Sequence, residues 1–258
     1  MRLLLPLLVA LLLLSFAAPM VAQPTDDADA IFEEVDRRQR LLDSESSTVR
    51  MEIVDPRGRT RTRTMQLRTK VGSDDLTKSI VVFTEPADIR GLGLLTVETD
   101  GGDDQRLYLP ALGRVQRVAG GERGERFAGS DFTYEDLGTR DPDDWTATLA
   151  ETTDAAFVLE ALAKDPSSTT HPKLRLTIDR ARYVILRAEY FTEDDTLAKV
   201  LVAEDFEEVG PDTFRAGTLT MEDVQDDRRT VLTYVEREAG ASIPDRVFSE
   251  RTLQRGLR

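Results

Sequence analysis

Residues 108–137 read YLPALGRVQRVAGGERGERFAGSDFTYEDL. The stretch is too polar for a core segment and too aromatic for a disordered linker. Leu107, Tyr108 and Leu109 end a strand, and Pro110 stops it because proline cannot donate to a ladder. Gly113 to Val118 predicts a short second strand. On it Arg114 and Gln116 share one side, interleaved with Val115 and Arg117. Gly120, Gly121 and Gly124 predict a mobile loop. Phe127, Phe132 and Tyr134 then cluster, with Gly129, Ser130, Asp131, Glu135 and Asp136 around them. Asp131 is expected to cap a short helical turn running through Asp136. On the aromatics alone two readings stay level: a flap over an open face, or ordinary core.

Working outward, the chain alternates short strands with polar turns. Asp26 to Leu42 predicts the one clear helix, with Ile31, Phe32, Val35, Leu41 and Leu42 on or beside its apolar side. Asp26 and Asp27 suit its positive end. After it the period switches to two: Val49, Met51 and Ile53 alternate with Arg50 and Glu52. Asp55-Pro56-Arg57-Gly58 is a turn. Further strands are expected over 59–71, 76–84, 92–99 and 105–109, and beyond the opening stretch over 145–151, 156–164, 173–179, 183–191, 197–206, 214–224 and 228–236. About a dozen strands joined by short turns predict a mostly antiparallel sheet. A meander of that length must close, sandwich or be covered by helices.

The N-terminus carries Arg2, an apolar run from Leu3 to Leu14 and small residues up to Ala22, the pattern of a secretory signal peptide. Residues 1–22 are expected to be removed by cleavage after Ala22, leaving residues 23–258 as a single exported domain. The formal charge of the whole chain is −14, and loss of Arg2 makes the mature protein more acidic still. Such a surface disfavours nucleic acid, which needs concentrated basic charge.

Catalytic residue types are scarce. The chain has no Cys, which excludes disulfides, thiol catalysis and thiolate metal sites. The single histidine, His171, sits in the polar stretch SSTTHPK and reads as a loop residue, with no GxSxG nucleophile motif to serve. Acid pairs at Asp103-Asp104, Asp143-Asp144, Asp194-Asp195 and Asp226-Asp227 fall where turns belong. No cofactor, metal site or enzyme activity is expected. Arg57, Arg59, Arg61 and Arg63 alternate with Gly and Thr, which predicts a basic stripe on one strand face. That stripe could dock an acidic partner or simply guard an exposed edge.

YLPALGRVQRV followed by FAGSDFTYEDL resembles the signature of the bacterial outer-membrane lipoprotein-sorting family with a LolA-like fold. The family pattern runs Tyr-Leu-Pro-Ala-Leu, Arg-x-x-Arg, then Phe-Met-Gly-Ser-Asp-Phe-x-Tyr-Glu-Asp-Leu, and here Ala128 stands for the usual Met. Pro86-Ala87-Asp88-Ile89-Arg90-Gly91 resembles the family's lead-in, and Ile243-Pro244-Asp245 with Phe248 and Leu253 its closing segment. The resemblance implies a curved, unclosed antiparallel half-barrel of 11–13 strands, mostly β with covering helices on the concave side. It implies a hydrophobic cavity for the acyl chains of a lipoprotein or lipid, in a monomeric periplasmic carrier that works in lipoprotein sorting or with a transporter of the resistance-nodulation-division type. An envelope sensor or adaptor docking through the arginine stripe is the alternative. Tyr108, Leu109, Phe127, Phe132 and Tyr134 are the expected residues of the cavity mouth. Pro110, Arg114, Arg117, Gly129, Ser130, Asp131, Glu135 and Asp136 are its expected structural frame.

Overall fold

A computed structural model of the protein describes residues 27–257. The expected signal peptide, residues 1–22, and Asp26 lie outside them. Helix α1 (Ala28–Arg40) begins where Asp27 accepts hydrogen bonds from the backbone of Asp29 and Ala30, at 3.1 and 3.3 Å. Its buried stripe is Ala28, Ile31, Phe32 and Val35.

Strands β1 (Ser44–Val54), β2 (Thr60–Val71), β3 (Thr77–Glu85), β4 (Gly93–Val97), β5 (Asp104–Leu109) and β6 (Arg114–Arg117) form one antiparallel meander. Strands β7 (Trp145–Thr152), β8 (Ala156–Ala163), β9 (Lys173–Asp179), β10 (Ile185–Phe191), β11 (Leu197–Glu204), β14 (Thr218–Asp223) and β15 (Arg228–Ala239) form a second. A small hairpin, β12 (Glu207–Gly210) and β13 (Thr213–Arg215), projects between β11 and β14. The meanders join where β1 pairs with β15, giving a 13-stranded sheet in the order β6-β5-β4-β3-β2-β1-β15-β14-β11-β10-β9-β8-β7. The sheet is curved and unclosed: β6 and β7 are its two edges. The connection from β6 to β7 must therefore cross the whole inner face, and the signature stretch forms most of it.

Alternation sorts the side chains. Val49, Met51 and Ile53 of β1, Val81 and Phe83 of β3, Leu94 of β4 and Leu174, Leu176 and Ile178 across the other meander share the inner core with α1. The outer face is not simply wet. Ile80, Val82 and Leu95 pack there with Ala241, Ile243, Phe248 and Leu253 of the C-terminal segment, which ends in helix α2 (Glu250–Arg255). At Gly93 an added Cβ would lie 2.7 Å from the Val81 carbonyl and 2.8 Å from the Leu253 side chain, so α2 sits against bare backbone. The expectation that both helices cover the concave side is thus corrected: α1 does, whereas α2 covers apolar side chains that β3 and β4 present outward.

Two further differences have local causes. The strand expected over 214–224 is split, because Gly217 turns the chain between β13 and β14 against the Asp205 carbonyl, 2.9 Å from where a Cβ would stand. In β15, Thr48 of β1 faces Glu236 but Val49 faces Tyr234, leaving Val235 as a bulge. One extra residue reverses the alternation. Tyr234 and Arg237 both face inward as a result.

Candidate functional site

The strap between β6 and β7 is pinned at successive points across the sheet. Phe127 is 1% exposed and Phe132 5%. Phe127 lies 5.6 Å from Phe83 and edge-on to Tyr134 at 5.8 Å. Ala128 and Gly129 take consecutive left-handed conformations, φ 53° and 70°, so the chain reverses and both carbonyls become acceptors. Arg63 donates to the Ala128 carbonyl and Arg228 to that of Gly129, the latter at 2.9 Å. Buried Ser130 closes the turn by donating to the Phe127 carbonyl at 2.8 Å.

The strap's carboxylates each hold a different neighbour. Asp131 accepts from the Thr230 hydroxyl at 2.7 Å, pairs with Arg228 at 3.0 Å, and its own N–H donates to Thr230. Its expected role as a helix cap is therefore corrected; it fastens the strap to β15. The 3-10 turn at Glu135–Leu137 has no side-chain cap at Tyr134. Asp136 instead accepts from the Thr133 N–H and hydroxyl, both at 2.8 Å. The same carboxylate meets Lys199 of β11 at 2.6 Å, with side chains only 5% and 7% exposed. Burial works to raise the Asp136 pKa, but the Lys199 charge and these hydrogen bonds outweigh it and hold the carboxyl below its ordinary value. Glu135 reaches Thr169 and Thr170 in the β8–β9 link, and Thr139 donates back to Asp103 at 2.7 Å.

Beyond the pinned part, residues 135–140 leave a cavity of about 530 Å³ between the inner face, α1 and the β12–β13 hairpin. Met65, Leu67, Val81, Leu94, Ala188, Leu201, Leu219 and Leu232 give it an apolar lining drawn from both meanders. Its charged lining residues are mostly paired. Arg40, at the end of α1, meets Glu98 with two hydrogen bonds of 3.0 Å and Asp36 at 2.8 Å. Glu45 lies 3.2 Å from Arg237 and 3.6 Å from Arg215, and Arg215 also donates to the Gln39 carbonyl of α1. Arg237 stacks on the Tyr234 ring at 4.3 Å, and burial pushes the Tyr234 phenol up to about 12.

The structure redistributes the expected mouth residues. None of Tyr108, Leu109, Phe127, Phe132 and Tyr134 is among the lining residues. Tyr108 points to the outer face and packs with the α2 cluster. Leu109 and Tyr134 flank the inner core, while Phe127 and Phe132 are part of it. The aromatics fill the end of the inner face nearest β2, β3 and β15, and the open space begins after them. Pro110 opens the 3-10 turn that joins β5 to β6. Arg114 is exposed at the sheet edge and Arg117 pairs with Asp104 at 2.9 Å, so neither meets the strap's carboxylates; Arg126 does so, contacting Asp131, Asp223 and Asp226. The arginine stripe is likewise corrected. Arg57 and Arg59 belong to the turn before β2, where Asp55 holds Arg59 at 2.6 Å. Arg61 and Arg63 share the inner phase of Met65, and Arg63 stacks over Phe83 at 5.8 Å. His171 does sit in a link, its ring edge-on to Tyr190 at 5.7 Å; burial, then the nearby Lys199 charge, lowers its pKa.

Several residues of the site escaped sequence reasoning. Lys199 shares a strand phase with Leu201 and Ala203, a signal once that phase is known. Glu45 with Arg215 and Arg237 needed the bulge and the small hairpin, which the pattern did not show.

A family model described as "-like: Uncharacterized protein" matches residues 75–255. An outer membrane lipoprotein-sorting protein domain from Vibrio parahaemolyticus, so named provisionally, superposes with a TM-score of 0.82 at 27% identity, covering 88% of this chain and 98% of that one. The chain belongs to the LolA-like lipoprotein-sorting family. A DUF1329 family protein from Desulfovibrio piger has a TM-score of 0.80 at 24% identity, covering 89% of this LolA-like chain and all 100% of that one. The LolA superfamily protein NE2245 from Nitrosomonas europaea has 0.69 at 24%, covering 86% and 97%. These last two establish likeness of fold. No curated protein sequence matches. In this LolA-like chain the signature Phe127–Leu137 is a row of anchors that secures the cavity's roof, and its last three residues, Glu135, Asp136 and Leu137, reach the lining.

Proposed function

We propose that this LolA-like protein is a non-enzymatic periplasmic carrier that shelters acyl chains of a lipoprotein or lipid. One observation carries the reading: the cavity of about 530 Å³, with an apolar lining contributed by both meanders, lies within the roughly 300–1,000 Å³ span of small-ligand sites. Each methylene moved into it from water contributes ~0.8 kcal/mol. Wall residues such as Leu201 and Leu219 are only half-buried without a ligand, so the surface that an acyl chain would cover is available.

Lipoprotein sorting, a membrane partner of the resistance-nodulation-division type and a monomeric state belong to the same proposal. The sensor or adaptor alternative, which uses the same fold, takes as its docking face a stripe of four arginines that the fold divides between a turn and the inner face. The test is displacement of a fluorescent acyl probe from purified protein, with extraction of any co-purified lipid. Leu201→Trp, which fills the cavity, is expected to abolish probe binding while leaving cooperative unfolding intact. A wild-type protein that neither binds the probe nor carries lipid would sink the carrier reading.

A further inference from the structure

Four arginines line the cavity: Arg40, Arg140, Arg215 and Arg237. Three of them have carboxylate partners, Arg40 with Asp36 and Glu98, and Arg215 and Arg237 with Glu45. Arg140, at the end of the strap, forms no ion pair among the described residues. Its guanidinium lies instead over two aromatic rings, 5.8 Å from the Trp145 centroid and 5.7 Å from that of Tyr190. Adjacent Asp141 accepts from the Asp143 N–H at 2.9 Å, and the two acids of the strap that line the cavity with Arg140 are engaged elsewhere. Glu135 is taken by Thr169 and Thr170, and Asp136 by Lys199 and Thr133. An arginine held on aromatic faces keeps its charge and its fork of donors available, and that fork matches carboxylate and phosphate oxygens.

We propose that Arg140 is an anion anchor, so that the cavity selects acyl chains ending in a carboxylate or phosphate over uncharged ones. This rests on the carrier reading and names the ligand class for the same cavity. The acyl chain would run from Arg140 past Leu137 and Ala188 toward Leu201 and Leu219, all of which line the same space. Tyr190 assists. It also lines the cavity, and burial holds its phenol up to about 12, so it remains a neutral donor beside the guanidinium. His171, kept uncharged first by burial and then by Lys199, adds no competing cation.

The experiment measures displacement of the fluorescent acyl probe by oleate, by 1-oleoyl lysophosphatidate and by oleyl alcohol, which share one chain and differ in the head. Wild-type protein is expected to bind at least one anionic ligand about tenfold or more tighter than the alcohol, as a charge-assisted bond gives. Arg140→Met should erase that preference, leave the alcohol within about twofold of wild type, and Arg140→Lys should keep part of it. Whichever anion loses more on substitution identifies the head, carboxylate or phosphate. Equal binding of all three ligands to wild-type protein overturns the anchor while the carrier stands. So does an Arg140→Met variant that weakens acid and alcohol alike or changes neither. If Arg140→Met does not unfold cooperatively, Arg140→Gln and Arg140→Lys give the same comparison. Failure of every ligand to displace the probe from wild-type protein removes both readings together.

Discussion

Replacing Lys199 with Met removes the cation that holds Asp136 and leaves a carboxylate inside the protein. The pair is nearly dry, with side chains 7% and 5% exposed, and its oxygen and nitrogen are 2.6 Å apart. Removing one partner of a buried pair costs about 3–5 kcal/mol, since the remaining charge keeps its desolvation penalty. For a domain of this size each kcal/mol moves Tm by about 2–4 °C, so Lys199→Met is expected to melt about 6–20 °C below wild type. The sign of the pH dependence follows from the depressed pKa of Asp136. A carboxyl whose folded pKa lies below its unfolded value of about 3.9 stabilises the protein above that value and loses the contribution as pH falls through the folded pKa. In Lys199→Met, burial without the cation favours the protonated acid, so the penalty shrinks in acid. Urea unfolding followed by Trp145 fluorescence at pH 7 and pH 4 should show the gap narrowing at the lower pH. The double variant Asp136→Leu with Lys199→Met should recover much of the loss, as apolar replacements of buried pairs do. A gap under about 1 kcal/mol at pH 7, or one independent of pH, would refute the strap's dependence on this pair, because it would place the interaction in the range of solvent-exposed pairs.

Phe132→Ala is expected to cost about 3–5 kcal/mol in denaturant unfolding with little change in probe affinity per folded molecule, because Phe132 is inner core and absent from the cavity wall. A large affinity loss at small stability cost would return it to the mouth. Arg237→Met leaves buried Glu45 short of its main partner, 3.2 Å away. In urea unfolding it should destabilise by about 3 kcal/mol, by the buried-charge argument, whereas Val235→Thr, at the bulge, should stay near wild type because the side chain is 55% exposed.

Much of the fold was legible because period two survives in strands with one wet face. Val49, Met51 and Ile53 announced β1 and its inner phase. β3 shows where legibility stops. Ile80, Val81, Val82 and Phe83 are all buried, since a C-terminal segment covers the outer side, and four consecutive apolar residues carry no phase. The strap was recognisable as special but not as a strap. Its carboxylates partner Thr230, Lys199 and Thr170, residues 99, 63 and 35 positions away, and only the edge-to-edge order of the sheet brings them together. The cavity was legible least, because its lining takes between one and four side chains from each of many strands, none unusual alone. Arg140 lay three residues past the stretch that drew attention, and what marks it is the absence of an ion pair among the described residues, which no sequence pattern displays.

The pairing of β1 with β15 has a consequence for how the molecule is made. The first strand of the sheet waits for the last, and those two occupy its middle. Until β15 is complete, a chain emerging from the N-terminus can assemble β1 to β6 but leaves the β1 side as a raw, 11-residue edge with Val49, Met51 and Ile53 uncovered. Long unpaired edges of that kind recruit other chains. Pairings across such sequence separation are also slow to form. The hazardous interval in the life of this protein is therefore the time between its first strand and its fifteenth, when it is half a sheet with nothing yet to close against.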